Sequence, residues 1–229
     1  MDAAELFRRW MGHGSVEPVI GPEEMLLRLR QGGVRDERVL AAMASVPRED
    51  FVEPQQRHDA YADRALGIGH GQTISQPLMV ALIVQAMEVR AGDHVLDVGT
   101  GSGYQAAVIA ACGASVVSIE RIADLADQAR MRLARVDLDV DVVVGDGSLG
   151  YPAAAPYDAI AVGAAAPQIP RALTEQLAPG GRLVVPVAVG SDGEQLIRVR
   201  RSGELFTTEQ LGPCRFVPLL GAEGYPAED

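Results

Sequence analysis

The chain has 229 residues, 48% of them hydrophobic, and a net charge of −11. That length suits one α/β domain with a full core and argues against two large domains. The acidic balance disfavours an extended nucleic-acid footprint, which relies on clustered Lys and Arg.

The start, "MDAAELFRRWMGHG", has no apolar core of signal-peptide length, and no run of about 18 apolar residues follows. The expectation is a cytoplasmic protein that does not enter a membrane. Residues 1–65 read as a helical cover. "PEEMLLRLRQGG" begins with Pro22 and ends at a glycine pair, the usual asymmetry of a helix. "RDERVLAAMASVP" offers Asp36 as a cap and sets Val39, Leu40, Met43 and Val46 on one face before Pro47. "FVEPQQRHDAYADRALGIGHG" has turn residues and no period.

Residues 66–92 then carry "GQTISQP" and the apolar helix "LMVALIVQAMEV". Thr73 and Ser75 stand close enough to its start to act as caps. From residue 93 to 190, strands and helices alternate. "HVLDVG", "SVVSIE", "VDVVVGDG" and "YDAIAVG" read as strands. "YQAAVIAACG", "ADLADQARMRLARV" and "PRALTEQL" read as helices, and "APGG" leads into the strand "RLVVPVAV". This alternation predicts a parallel sheet with helices on both faces. In residues 191–229, "EQLIRVRRSGELFTTEQL" predicts an antiparallel hairpin about "RSGE". The fold class is therefore a single three-layer, Rossmann-like α/β domain with a helical cover and a C-terminal hairpin.

"VLDVGTGSGYQA" places Gly99, Gly101 and Gly103 between the first strand and its helix, where backbone can approach a ligand. Read from Gly101 with Ala106 third, the same loop satisfies a dinucleotide variant, so it does not decide the cofactor alone. Glu120 ends the second strand, where an acid takes ribose hydroxyls. Asp97 suits a ligand bearing an ammonium and a sulfonium, or else staples the loop through backbone N–H groups. Asp146, in "GDG", is placed to accept from an adenine amino group, or else is a turn former. S-adenosylmethionine fits this set best. Cys112 and Cys214 lack metal-ligand spacing and read as buried thiols in a reducing compartment. His13, His58, His70 and His94 are scattered, so no metal is expected.

Taken in order, "VPREDFV", "GIGHGQTISQP", "VLDVGTGSGYQAAV", "SIER", "GDGSLGY", "APYDAI", "AAAPQIP", "LAPGGRLVVPV" and "FVPLLGAEGY" resemble the protein-L-isoaspartate O-methyltransferase family. The resemblance covers roughly residues 25–225. It implies methylation of the free α-carboxylate of isoaspartyl, and D-aspartyl, residues in damaged proteins, with S-adenosylhomocysteine as product. By position it makes Ser75 the active-site serine. It assigns Asp97, Gly99, Thr100, Gly101, Ser102, Gly103, Glu120, Asp146 and Gly147 to the cofactor. It assigns Ile68, Gln72, Thr73 and Val217 to the substrate cleft. About 20 residues precede the usual first helix, and "PVAVGSDGEQ" lies where the family's loop varies in length.

A carboxylate is ionised near neutral pH, so such a transfer needs no general base. Ser75 would then orient the substrate carboxylate, donating to one oxygen and leaving the other to attack. The expected partners are isoaspartyl proteins and peptides, with no nucleic acid or membrane, and a monomer is favoured. Competing readings are a methyltransferase for a small molecule or RNA, a dinucleotide enzyme, and a cofactor-binding regulatory module.

Overall fold

The structure, a computed structural model, describes residues 20–190 and 193–226. The reading of "MDAAELFRRWMGHG" falls outside them. Helix α1 (Pro22–Gln31) starts with its proline in the first turn and ends at Gly32. Helix α2 (Glu37–Ser45) is capped by Asp36, whose side chain accepts from Arg38 N. Two 3-10 turns, Arg48–Asp50 and Pro54–Asp59, complete the cover.

A two-stranded hairpin that the sequence reading did not resolve comes next, β1 (Leu66–Gly69) and β2 (Gln72–Ile74). Its turn is His70–Gly71, with φ of 52° and 71°. Positive φ at both central residues matches the twist of an antiparallel pair, and glycine supplies one of the two cheaply. Helix α3 (Pro77–Met87) follows. The expected hydroxyl caps are not found, because Gln76 is the capping position and gives no side-chain bond. Asp63 reaches in from the cover instead and accepts from Leu78 N at 3.0 Å.

The main sheet has seven strands in the order β5-β4-β3-β6-β7-β8-β9. β3 (His94–Val98), β4 (Ser115–Glu120), β5 (Val140–Val144), β6 (Tyr157–Val162) and β7 (Leu177–Ala188) run parallel. β8 (Glu194–Ser202) and β9 (Leu205–Cys214) add the antiparallel hairpin. Helices α4 (Tyr104–Ala111) and α5 (Ala123–Arg135) cross over between the first three parallel strands.

Alternate strand residues feed two cores, as a period of two requires. Val95, Ala159 and Ala161 pack with α1–α5 on one face. Leu96, Ile160 and Val162 pack on the other with Leu173 and Leu219. That second face is covered thinly. "PRALTEQL" forms only one turn, α6 (Arg171–Glu175), and short 3-10 turns fill in around it.

"APGG" lies within β7, with an irregularity between Tyr157 and Ala159 of the pairing strand. A Cβ on Gly181 would lie 3.0 Å from the Tyr157 carbonyl, so glycine is what lets the bulge close. Residues 216–220, "FVPLL", form no regular strand and make two isolated bridges, Ala165 to Pro218 and Leu220 to Tyr225. No helix among the described residues is long and apolar enough to cross a membrane.

Candidate active site

The strand order reverses at β3, whose neighbours β4 and β6 lead away on opposite sides. Ligands bind at such a switch point, beyond the carboxyl ends of the strands. A cleft opens there, enclosing about 610 Å³ including its mouth. Gly99 and Gly101 form one side, Glu120, Arg121 and Ile122 the next, and Leu219 and Leu220 the opposite wall.

The glycine loop is held from behind. Gly99 N and Thr100 N both donate to the Ile119 carbonyl, at 2.9 and 3.3 Å. Gly99, Gly101 and Gly103 all have positive φ, at 87°, 52° and 90°. A side chain at Gly101 would also crowd Ile68, whose Cδ1 lies 3.3 Å from the Cβ position. Ile68 is thus buried beneath the loop and supports the cleft from inside.

Asp97 is fully buried and does not line the cleft. It accepts from Gln105 Nε2 at 2.8 Å and from Ser118 Oγ at 2.7 Å. Thr100 Oγ1 completes the cluster, 2.6 Å from Ser118 Oγ. Burial pushes the Asp97 carboxyl up to about 6, against the pull of those two hydrogen bonds. The side chain ties β3 to β4 and α4 through side-chain donors, and accepts from none of the loop backbone N–H groups that the stapling role would use. Thr100 and Ser102 are buried beside it, and Ser102 Oγ accepts from Tyr104 N at 3.3 Å.

Glu120 faces the cleft. Its Oε2 accepts from Gly101 N at 2.9 Å and its Oε1 from Ile122 N at 3.0 Å. Each oxygen keeps a lone pair for a further donor. Gly147 lines the cleft, while the Asp146 carboxylate turns away to bind Ser148 N, Ser148 Oγ and Ala222 N at 2.7–2.9 Å. Burial raises the Asp146 pKa, but those donors outweigh it and leave the carboxyl below its usual range. Here Asp146 ties down the segment that supplies Leu219 and Leu220.

A second pocket meets this cleft. Ser75, Gln76, Met79, Arg215 and Phe216 line it, and Thr73, Gly163 and Val217 belong to both. Gln72 stands on the cleft side. Ser75 also borders the glycine loop with Thr73. Neither hydroxyl has a hydrogen-bond partner among the described residues, so both are available to a ligand. What fixes Ser75 is its backbone. Arg48, fully buried, donates from Nη2 to the Ser75 carbonyl at 2.7 Å and from Nε to the Ala60 carbonyl at 2.7 Å. Its guanidinium lies 4.7 Å from the Tyr104 ring centre.

The family profile described as protein-L-isoaspartate(D-aspartate) O-methyltransferase matches residues 21–224. The chain belongs to that family. The protein-L-isoaspartate O-methyltransferase of Methanoculleus marisnigri is 51% identical over 208 residues, covering 90% of this chain and 94% of its own. That of Rhodopseudomonas palustris is 52% identical over 195 residues, 84% of this chain and 89% of its own. A Plasmodium falciparum structure described by the same activity, in complex with S-adenosyl-L-homocysteine, superposes with a TM-score of 0.77. It is 25% identical and covers 88% of this chain and 99% of its own. Another solved protein-L-isoaspartate O-methyltransferase gives 0.78 at 28% identity, over 89% and 67% of the two chains.

Within this family frame, three features had no sequence signal strong enough to find them. Arg48 looks like an ordinary charge before a turn, because buried cations are rare. Arg215 sits in an edge-strand exit and gains meaning only from its neighbour Ser75. Leu219 and Leu220 become cleft walls only because Asp146 folds their segment back.

Proposed function

We propose that this chain transfers a methyl group from S-adenosylmethionine to the free α-carboxylate of L-isoaspartyl residues, and of D-aspartyl residues, in damaged proteins. The observation that carries the reading is the junction at Thr73, Gly163 and Val217, where the cleft beside the glycine loop adjoins a pocket with free hydroxyls and an arginine.

The cleft suits the cofactor by its donor set. Val98, Ile119, Leu219 and Leu220 offer apolar walls to an adenine, and Glu120 offers lone pairs to a ribose diol. When bound, S-adenosylmethionine supplies an electrophilic methyl group and departs as S-adenosylhomocysteine. Asp97, Thr100, Ser102 and Gly103 hold the loop in shape, Gly99 and Gly101 let the ligand approach, and Asp146 with Gly147 closes the adenine end.

The substrate carboxylate needs no proton removed at neutral pH. The pocket's work is therefore attraction and alignment, which together can supply about 7–11 kcal/mol at best. Arg215 forms no ion pair among the described residues and draws the anion in. Ser75 donates to one carboxylate oxygen and Thr73 fixes the near side, leaving the second oxygen facing the cleft. Gln72 and Val217 border the same passage, and Ile68 backs it.

Cys112 and Cys214 are free thiols, each half-buried rather than buried as the sequence suggested, and a free pair is in keeping with a cytoplasmic setting.

Methyl transfer to matched isoaspartyl and aspartyl peptides tests the reading, with turnover expected on the first only. Ser75→Ala should lower the rate at saturating cofactor by roughly 10–100-fold, the worth of a hydrogen bond to a charged group. Its melting temperature should hardly move, because the hydroxyl caps nothing. Unchanged turnover in that variant would remove the orienting role.

A further inference from the structure

Helix α3 reads "PLMVALIVQAM" and is apolar nearly all round, a pattern suited to burial on every side. Only one side is buried in full, with Val80, Ile83, Val84 and Met87 each at or below 1% exposure in the core. The opposite stripe faces a groove enclosing about 1310 Å³ including its mouth. Met79, Leu82 and Ala86 give its helical side, and Leu196 and Leu211 of the β8–β9 hairpin give the other. Met79 and Pro213 line this groove and also the Ser75 pocket, so the two are one continuous depression.

The rim charges are already matched. Arg198 pairs with Glu88 and Glu209, and Asp36 with Arg38. Arg35 donates to the carbonyls of Arg30 and Val34. Recognition along the groove therefore falls to its apolar floor. From Pro77 to Ala86 the helix advances about 14 Å, the span of about four residues of extended chain.

We propose that the groove is an outer substrate subsite, holding an apolar side chain of the damaged protein about four residues from the isoaspartate. The proposal rests on the methyltransferase reading above and extends it to specificity. The remote side chain adds affinity without touching the chemistry. Extended segments are the chemistry that fits, because a helix or folded surface could not enter the pocket and follow the groove at once.

The test uses isoaspartyl peptides in three forms: a short one, and two longer ones carrying Leu or Ser four residues away, built on each side in turn. The Leu peptide should show a KM about five- to tenfold below its Ser counterpart, on one side only, in keeping with partial burial of one aliphatic side chain. Leu82→Glu should erase that difference and leave kcat and KM for the short peptide unchanged. Leu211→Glu, at a more exposed position, should do the same and guards against a folding defect in the helix variant. Equal KM for the Leu and Ser peptides on both sides would overturn the proposal. So would concentration-dependent dimerisation abolished by Leu211→Glu, which would give the groove to a second copy. Failure of the enzymatic reading shows separately, as absence of turnover on the short peptide, and would take the subsite with it.

Discussion

Arg48 brings a full positive charge into a place with no exposed surface, and its ordinary pKa falls to about 10 through burial. Two carbonyls and an aromatic face compensate for lost water, while its Nη1 has no partner among the described residues. Removing such a group strands the carbonyls of Ala60 and Ser75, and each buried acceptor left unpaired costs about 1–3 kcal/mol. Arg48→Met should therefore lose about 2–4 kcal/mol in urea unfolding. In whatever fraction folds, turnover should fall more than cofactor affinity, since Ser75 loses its backbone anchor. Asp97 makes a different prediction. Its folded pKa lies above the unfolded value near 3.8, so the folded state binds the extra proton. The contribution of this group is complete below pH ~4 and is lost as pH rises through about 6, on the order of 3 kcal/mol. Glu120 nearby acts in the same direction. Asp97→Asn should flatten that part of the stability–pH curve, measured as the difference between wild type and variant. A variant curve parallel to the wild type would show that the carboxyl is not ionising there. These residues also mark what a sequence shows at this scale. Glu120 could be located from its spacing to the glycine loop, whereas whether Asp97 faces a ligand or a loop depends on Gln105 and Ser118, contacts that only the folded chain brings together.

At the scale of elements, alternation of strand and helix was legible from β3 to β6 because β-branched runs and glycine stops punctuate it. The hairpin β8–β9 was legible for the same reason. What was not legible is how elements are pinned. Helix α3 has hydroxyls two and four residues before Pro77, which match a cap by proximity, yet the carboxylate of Asp63 does that work from outside the local sequence. This has a measurable consequence. Asp63→Ala should cost about 1 kcal/mol, the usual worth of a helix cap, while Thr73→Ala and Ser75→Ala should cost much less. Equal losses in all three would return the capping role to the hydroxyls. The β1–β2 hairpin escaped for a related reason. "GIGHGQTI" has three glycines and only eight residues, too short a run to show a period, and its turn depends on His70 accepting a left-handed conformation.

For the whole molecule, the cleft is the place where distant parts of the chain meet. Its walls come from the β2 strand, the glycine loop, the ends of β4 and β5, and the segment after β9. Those parts lie up to about 150 residues apart in sequence, so a ligand that touches all of them binds the folded state and has little to bind in the unfolded one. S-adenosylhomocysteine at a hundred times its Kd should add about 2.7 kcal/mol of stability. For a chain of this size that corresponds to a rise in Tm of roughly 5–10 °C. NAD at the same concentration should give none: the Gly101–Ala106 form of the loop is shared between the two cofactor classes, but the family match and the S-adenosyl-L-homocysteine held by the Plasmodium falciparum relative both point away from a dinucleotide. Thermal unfolding with each ligand separates the two cofactor classes without any assumption about the protein substrate. A shift with NAD and none with S-adenosylhomocysteine would overturn the reading of Glu120, the glycine loop and the Leu219–Leu220 wall as a single S-adenosylmethionine site.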